Sequence, residues 1–320
     1  MRPILFFLLI VAVTSTATSG SRPHPAELRF PLDALSRSTG GVNPALSVGA
    51  GDVFINPGIA KPSSRPELQI TTTIDLLAHE YLSMAYTRPL GRRGRFGIAL
   101  VNRMAGDLER SPAPNVFVRR VGATQRGVAL SYGIAVARVS MGVALRTSRY
   151  PEAHTPSREE MTATAIDLGM QYRPTANLTL GATLHGPGWF QKRSHDDAGI
   201  ALGLNWAPRF VSDGLLRILV SGDRHASEPW QFNLGTVVTP LGGASGGKSL
   251  SFRAGVGNLD VDGRTTNSVY DYLHDTAPTL TFGTGLTVPL GNEWSLALDY
   301  CVQLVEYVSS RHVVTTRLRF

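Results

Sequence analysis

Several groups of residues have types or spacings that can do chemistry. Gly243-Ala244-Ser245-Gly246-Gly247 has the G-x-S-x-G spacing of a nucleophile elbow. That motif works only where a strand turns sharply into a helix and lifts the serine out. Here it falls in a glycine-rich turn between two segments that read as strands, so a flexible turn is the reading. His195-Asp196-Asp197 sets an imidazole beside two carboxylates, but next to Lys192 and Arg193 it reads as a solvated loop. The other histidines, His24, His79, His154, His185, His225, His274 and His312, lack zinc-type spacing. Cys301 is the single thiol and cannot close an intrachain disulfide. Asn177-Leu178-Thr179 matches a glycosylation sequon, but in a short turn between two strands the pattern carries no weight alone. The expectation is a non-enzymatic protein with no catalytic residue, no metal and no cofactor.

The elements around these residues are strands. Val128, Leu130, Tyr132, Ile134 and Val136 alternate with Ala129, Ser131, Gly133, Ala135 and Ala137. Trp294, Leu296, Leu298, Tyr300, Val302 and Leu304 alternate with Ser295, Ala297, Asp299, Cys301 and Gln303. Period-2 alternation marks a strand with two different faces. One face is bulky and apolar. The other is small, rich in Gly, Ala, Ser and Thr, with scattered charge. A soluble sandwich turns its apolar face inward and a polar one to water. The small second face instead suits the interior of a closed barrel whose bulky residues meet lipid. Asp167, Asp299, Arg253 and Arg317 have interior parity. They are candidates to pair, to hold a luminal segment or to line a pore.

Composition agrees. Charged residues are 17 % of 320, Gly numbers 33 and the net charge is +7. Disordered proteins need more charge and less apolar content. A helical fold would lose about 1 kcal/mol at each interior glycine. No basic tract interleaved with aromatics is present, so nucleic acid is not an expected partner.

The chain divides into three parts. Met1-Arg2-Pro3, the apolar run Ile4 to Val13 and the small residues after it read as a signal peptide over 1–21. The run is too short to span a membrane, which takes about 20 residues. Residues 22–66 hold Pro23, Pro25, Pro31, Pro44, Pro57, Pro62 and Pro66, poor material for strands. They are expected to form a plug-like segment, with Phe30, Leu32, Leu35, Phe54 and Ile55 as anchors. Residues 67–320 are expected to be an all-β transmembrane antiparallel barrel of about 14 strands.

With both ends in the periplasm, Phe96, Tyr172, Trp206 and Trp294 fall at periplasmic strand ends and Trp230 at an external one. These are the expected interface aromatics, with apolar bodies in lipid and, in Trp and Tyr, a polar edge in the headgroups. Leu318 and Phe320 share the lipid face and are expected to act as a barrel-assembly signal. One link in this scheme, Arg138 alone between two strands, is too tight and calls for a shifted boundary.

Residues 40–100 carry a more particular pattern. Gly40-Gly41-Val42-Asn43 precedes Gly49-Ala50-Gly51-Asp52, then Asp52-Val53-Phe54-Ile55-Asn56-Pro57-Gly58-Ile59-Ala60. After these comes Ala85-Tyr86-Thr87-Arg88-Pro89-Leu90-Gly91-Arg92-Arg93-Gly94-Arg95-Phe96-Gly97. In order and spacing these resemble the PorV/PorQ family, itself similar to FadL-type fatty acid transporters. Two features depart from the family pattern: Asn43-Pro44 with Leu46-Ser47-Val48 interrupts the Gly/Ala stretch, and Gly58 stands where Ala is usual. The resemblance implies a 14-stranded outer-membrane barrel whose N-terminal segment enters the lumen through Asn56, Pro57 and Gly58. It implies a secretion-associated role, with outer-membrane lipid, the barrel-assembly machinery and exported proteins or secretion components as partners. The FadL side implies the alternative, a transporter of hydrophobic small molecules. The small polar interior faces favour the secretion role.

Overall fold

The computed structural model describes residues 33–41, 43–59, 65–75, 79–110, 119–151, 160–186, 198–208, 215–225, 230–241, 248–260, 279–291, 293–305 and 310–320. The signal region, Phe30 and Leu32, the His195 loop and the Gly243–Gly247 turn lie outside these residues.

Fourteen strands follow two short helical turns, α1 (Ala34–Ser38) and α2 (Asp52–Ile55). They are β1 (Glu67–Asp75), β2 (His79–Leu90), β3 (Gly94–Arg110), β4 (Arg119–Val136), β5 (Val139–Pro151), β6 (Glu160–Thr175) and β7 (Leu178–His185). Then come β8 (Gly199–Trp206), β9 (Leu216–His225), β10 (Gln231–Leu241), β11 (Ser249–Asp260), β12 (Thr279–Leu290), β13 (Trp294–Val305) and β14 (Ser310–Arg319). Each strand pairs antiparallel with its neighbours in sequence, and β1 pairs with β14 from Glu67↔Arg319 to Asp75↔Arg311. The barrel is therefore closed and leaves no free sheet edge.

The alternation resolves as the sequence implied. Val128, Leu130, Tyr132 and Val136 are exposed on the outside, and Ala129 between them is 1 % exposed. Leu296, Leu298, Tyr300 and Leu304 are likewise outward, while Asp299 and Cys301 are buried inside. An exterior so rich in exposed Leu, Ile, Val and Phe is stable only against lipid.

The β4–β5 link differs from the reading that left Arg138 alone. Val136 pairs with Val139 around a two-residue turn, Ala137-Arg138, with Ala137 at φ 52°. Positive φ at the first turn residue matches the twist of the flanking strands. Ala137, read as part of the strand, is what completes the turn. Short turns recur at this end, at 91–93 and 176–177, and the longer links lie mostly at the other. Outer-membrane barrels have short periplasmic turns and longer external loops.

Candidate functional site

The site is the barrel interior, where residues 33–59 wind against the wall. The course of the segment is set by close approach. At Gly142 on β5 a Cβ would run into the Pro57 carbonyl. At Gly58 a Cβ would lie 2.5 Å from the backbone of Gly169 on β6. Only glycine lets two backbones come this near. The alanine usual in the family pattern has no room at Gly58. Wall glycines at Gly181, Gly235 and Gly255 meet the segment's backbone at Pro44, Thr39 and Gly40 in the same way, while Gly203 and Gly283 make room for the side chains of Asn43 and Ser38.

Polar side chains fasten the segment between these contacts. Asp33 caps α1 by accepting from the Ser36 amide at 2.9 Å, and the Ala34 amide donates to Thr315 Oγ1 at 2.8 Å. Arg37 donates to Gln303 Oε1 at 2.8 Å. Glu67 on β1 accepts from the Ala50 amide at 2.6 Å and from Arg319 Nη2 at 2.7 Å. Gln69 accepts from the Gly51 amide at 3.0 Å. The Ala34, Ala50 and Gly51 amides thus find wall acceptors, as burial of a backbone donor requires.

On β3, Arg95 reaches four acceptors: Asp52 Oδ2 at 2.9 Å, Ile59 O at 3.1 Å, Gly49 O at 2.8 Å and Thr87 Oγ1 at 2.9 Å. Asp52 also accepts from the Val48 amide at 2.8 Å and the Ser47 hydroxyl at 2.9 Å. Burial outweighs these partners and pushes the Asp52 carboxyl up to about 6.

The residues singled out in the sequence fall as follows. Asn56 is fully buried; its Nδ2 donates to Pro44 O at 2.7 Å and to Met170 O on β6 at 3.1 Å. Its Oδ1 accepts from the Gly58 amide at 2.8 Å, so Asn56, Pro57 and Gly58 form one turn seated on β5 and β6. Asp299 pairs with Arg253 and, at 2.6 Å, with Arg317, whose other nitrogen reaches Val48 O at 3.4 Å. Asp167 instead pairs with Arg146 at 2.6 Å and lies 3.3 Å from His185. Cys301 packs with Ala34 and Val313.

Trp206 and Trp294 are exposed on the outer face. Trp294 stacks on Phe320 at 5.2 Å between ring centroids, and Trp230 on Phe232 at 6.2 Å. Phe96 and Tyr172 are half-buried near the short-turn end, and Leu318 pairs with Leu68 and Leu296.

Sequence reasoning missed Glu67, Arg95, Arg146 and Asp52. The first three share the parity of the small face in β1, β3 and β5, a signal that was available. It also missed a sector of that face that is apolar. Tyr81 and Ala85 on β2, Ala99 and Val101 on β3 and Ala129 on β4 pack with Ala50, Val53 and Phe54 of the segment. The sector runs from the external half of the barrel down to the segment. Two voids flank the segment, one lined by Asp33, Phe54 and Gln69, the other by Asp52, Pro57 and Arg95. Each leaves about 10 Å³ for the centre of a water-sized sphere, room for about one water.

A closed 14-stranded barrel with a lipid-facing exterior and an occupied lumen is the architecture of an outer-membrane barrel protein. The particular likenesses are to FadL-type barrels. The chain is similar to the CymD monoaromatic hydrocarbon channel, with TM-score 0.62 and 12 % identity over 91 % of this chain and 98 % of that one. It is similar to a Pseudomonas aeruginosa FadL homologue, with TM-score 0.58 and 11 % identity over 95 % and 99 %. It is also similar to the Pseudomonas putida toluene transporter TodX, with TM-score 0.57 and 12 % identity over 90 % and 96 %. At these identities the shared property is the fold. No protein-family model and no curated sequence matches the chain.

Proposed function

We propose that this chain is a non-enzymatic outer-membrane channel that passes hydrophobic small molecules, with residues 33–59 as its resident plug. The observation that carries this reading is the apolar sector of Tyr81, Ala85, Ala99, Val101 and Ala129 above Phe54. An apolar solute loses little on leaving lipid for such a strip, whereas a polar wall offers it nothing. The hydrocarbon-channel likenesses support the same reading.

Small, polar interior faces are the argument for the secretion role. The β2–β4 sector removes that argument, and the likenesses support the FadL side of the resemblance. The test is uptake of a radiolabelled monoaromatic hydrocarbon and a long-chain fatty acid by cells with and without the gene. Uptake that falls on deletion and returns on complementation supports the channel. Unchanged uptake with loss of exported surface proteins would favour the secretion role.

A further inference from the structure

On its external rim the outer face sets two arginines side by side on neighbouring strands. Arg126 on β4 stands directly opposite Arg149 on β5, and both are exposed. Asn102 on β3 pairs with Arg126, and Thr162 on β6 pairs with Arg149. All four have lipid-face parity: Val128, Leu130 and Tyr132 follow Arg126 at steps of two, and Val143 and Leu145 precede Arg149 the same way. Elsewhere the same rim carries exposed Ile74, Leu280 and Leu304.

Ten residues separate Arg126 from Val136 at the short-turn end, and ten separate Arg149 from Val139. With a rise of about 3.3 Å per residue and a tilt of about 40°, that spans about 25 Å, the height of the apolar band. The two guanidiniums thus sit at headgroup level on the side of the longer loops.

We propose that Arg126 and Arg149 bind a phosphate group of an anionic lipid in the outer leaflet. The guanidinium fork matches phosphate oxygens two at a time, which a lysine does not. The amide of Asn102 and the hydroxyl of Thr162 extend the donors along the row. Beneath them come Val128 and Thr147, and below these Leu130, Leu145 and Val143 form an apolar wall for acyl chains. That wall selects a lipid over a free anion. This site is independent of what passes through the lumen.

The test uses the full-length barrel in nonionic detergent, titrated with diphosphoryl lipid A and with dephosphorylated lipid A and read by native mass spectrometry. Wild type is expected to bind the phosphorylated form, and R126Q/R149Q to bind it about tenfold more weakly. R224Q, which removes a lone lipid-facing arginine opposite Ile200, is expected to bind as wild type. Heat-modifiable gel migration checks that each variant folds, and R126Q alone serves if the double variant does not. Equal binding by wild type and the folded arginine variant would overturn the proposal. So would equal binding of the dephosphorylated lipid, or full displacement of the lipid by millimolar inorganic phosphate.

Discussion

Arg95 on the wall and Asp52 on the luminal segment meet at 2.9 Å, and each also holds the segment's backbone. Arg95 takes the Gly49 and Ile59 carbonyls, and Asp52 takes the Val48 amide. The pair ties both ends of the 48–59 stretch to one point on β3. Removing Arg95 would leave a buried carboxylate and two carbonyls without this donor. Breaking a buried pair by deleting one partner costs about 3–5 kcal/mol. Arg95→Ala is therefore expected to leave the barrel closed but loosen the plug. Hydrogen exchange across 48–59 should rise while the strands stay protected, and single-channel conductance in a planar bilayer should increase. Unchanged exchange in 48–59 would show that the pair does not hold the segment.

The same pair predicts a dependence on pH. Burial raises Asp52 from 3.8 to about 6, so the docked segment binds its proton more tightly than the undocked one. The contribution of this group to docking is then complete below about pH 4 and is lost as the pH rises through about 6. Protease cleavage within 48–59 should be slower at pH 4.5 than at pH 7.5, and Asp52→Asn should flatten the difference. A cleavage rate that falls with rising pH would contradict the sign.

Gly58→Ala tests the seat on β6 by one methyl group. The new Cβ would lie 2.5 Å from the Gly169 backbone, which cannot swing away as a side chain can. Overpacking of this kind costs about 1–3 kcal/mol. The variant should assemble and show normal heat-modifiable migration, with raised conductance. Migration and conductance both like wild type would mean that the segment has slack there.

For transport, Val101→Asp is the diagnostic change. It sets a charge in the apolar sector without touching the Arg95 contacts. Unpaired charge in an apolar site is costly, and uptake of a monoaromatic hydrocarbon is expected to fall about tenfold or more. Val101→Leu should leave uptake close to wild type. If both variants transport equally, the route does not run along β2–β4.

Phe320→Ala addresses the assembly role proposed for Leu318 and Phe320. It removes the ring stacked on Trp294, worth about 0.5–1.5 kcal/mol beyond its area. The yield of folded barrel in the outer membrane should drop, with stability in detergent only slightly lower. A full yield would assign Phe320 to the interface belt alone.

The barrel was legible because period-2 alternation is a local signal that each strand carries complete. Ala137 was misread because alternation continues through it, and only the backbone reveals its positive φ. The interior was harder. Parity puts Asp299, Arg253 and Arg317 on the inner face, but which carboxylate meets which guanidinium depends on register across β11, β13 and β14. Asp167 shared their parity and went to Arg146 and His185 instead. Asn56 stood out as part of a turn, yet its partner Met170 is 114 residues away. Averaging the small face over all strands hid the β2–β4 sector, since Tyr81 and Val101 are single bulky residues among Ala and Ser.

The hydrogen bond from the Ala34 amide to Thr315 spans 281 positions of the chain. Its acceptor lies on β14, the strand that closes the ring, so this part of the seat is complete only on that closure. The start of the luminal segment is therefore fixed only as the seam between β1 and β14 zips shut, which makes the earliest described residues the keystone set last.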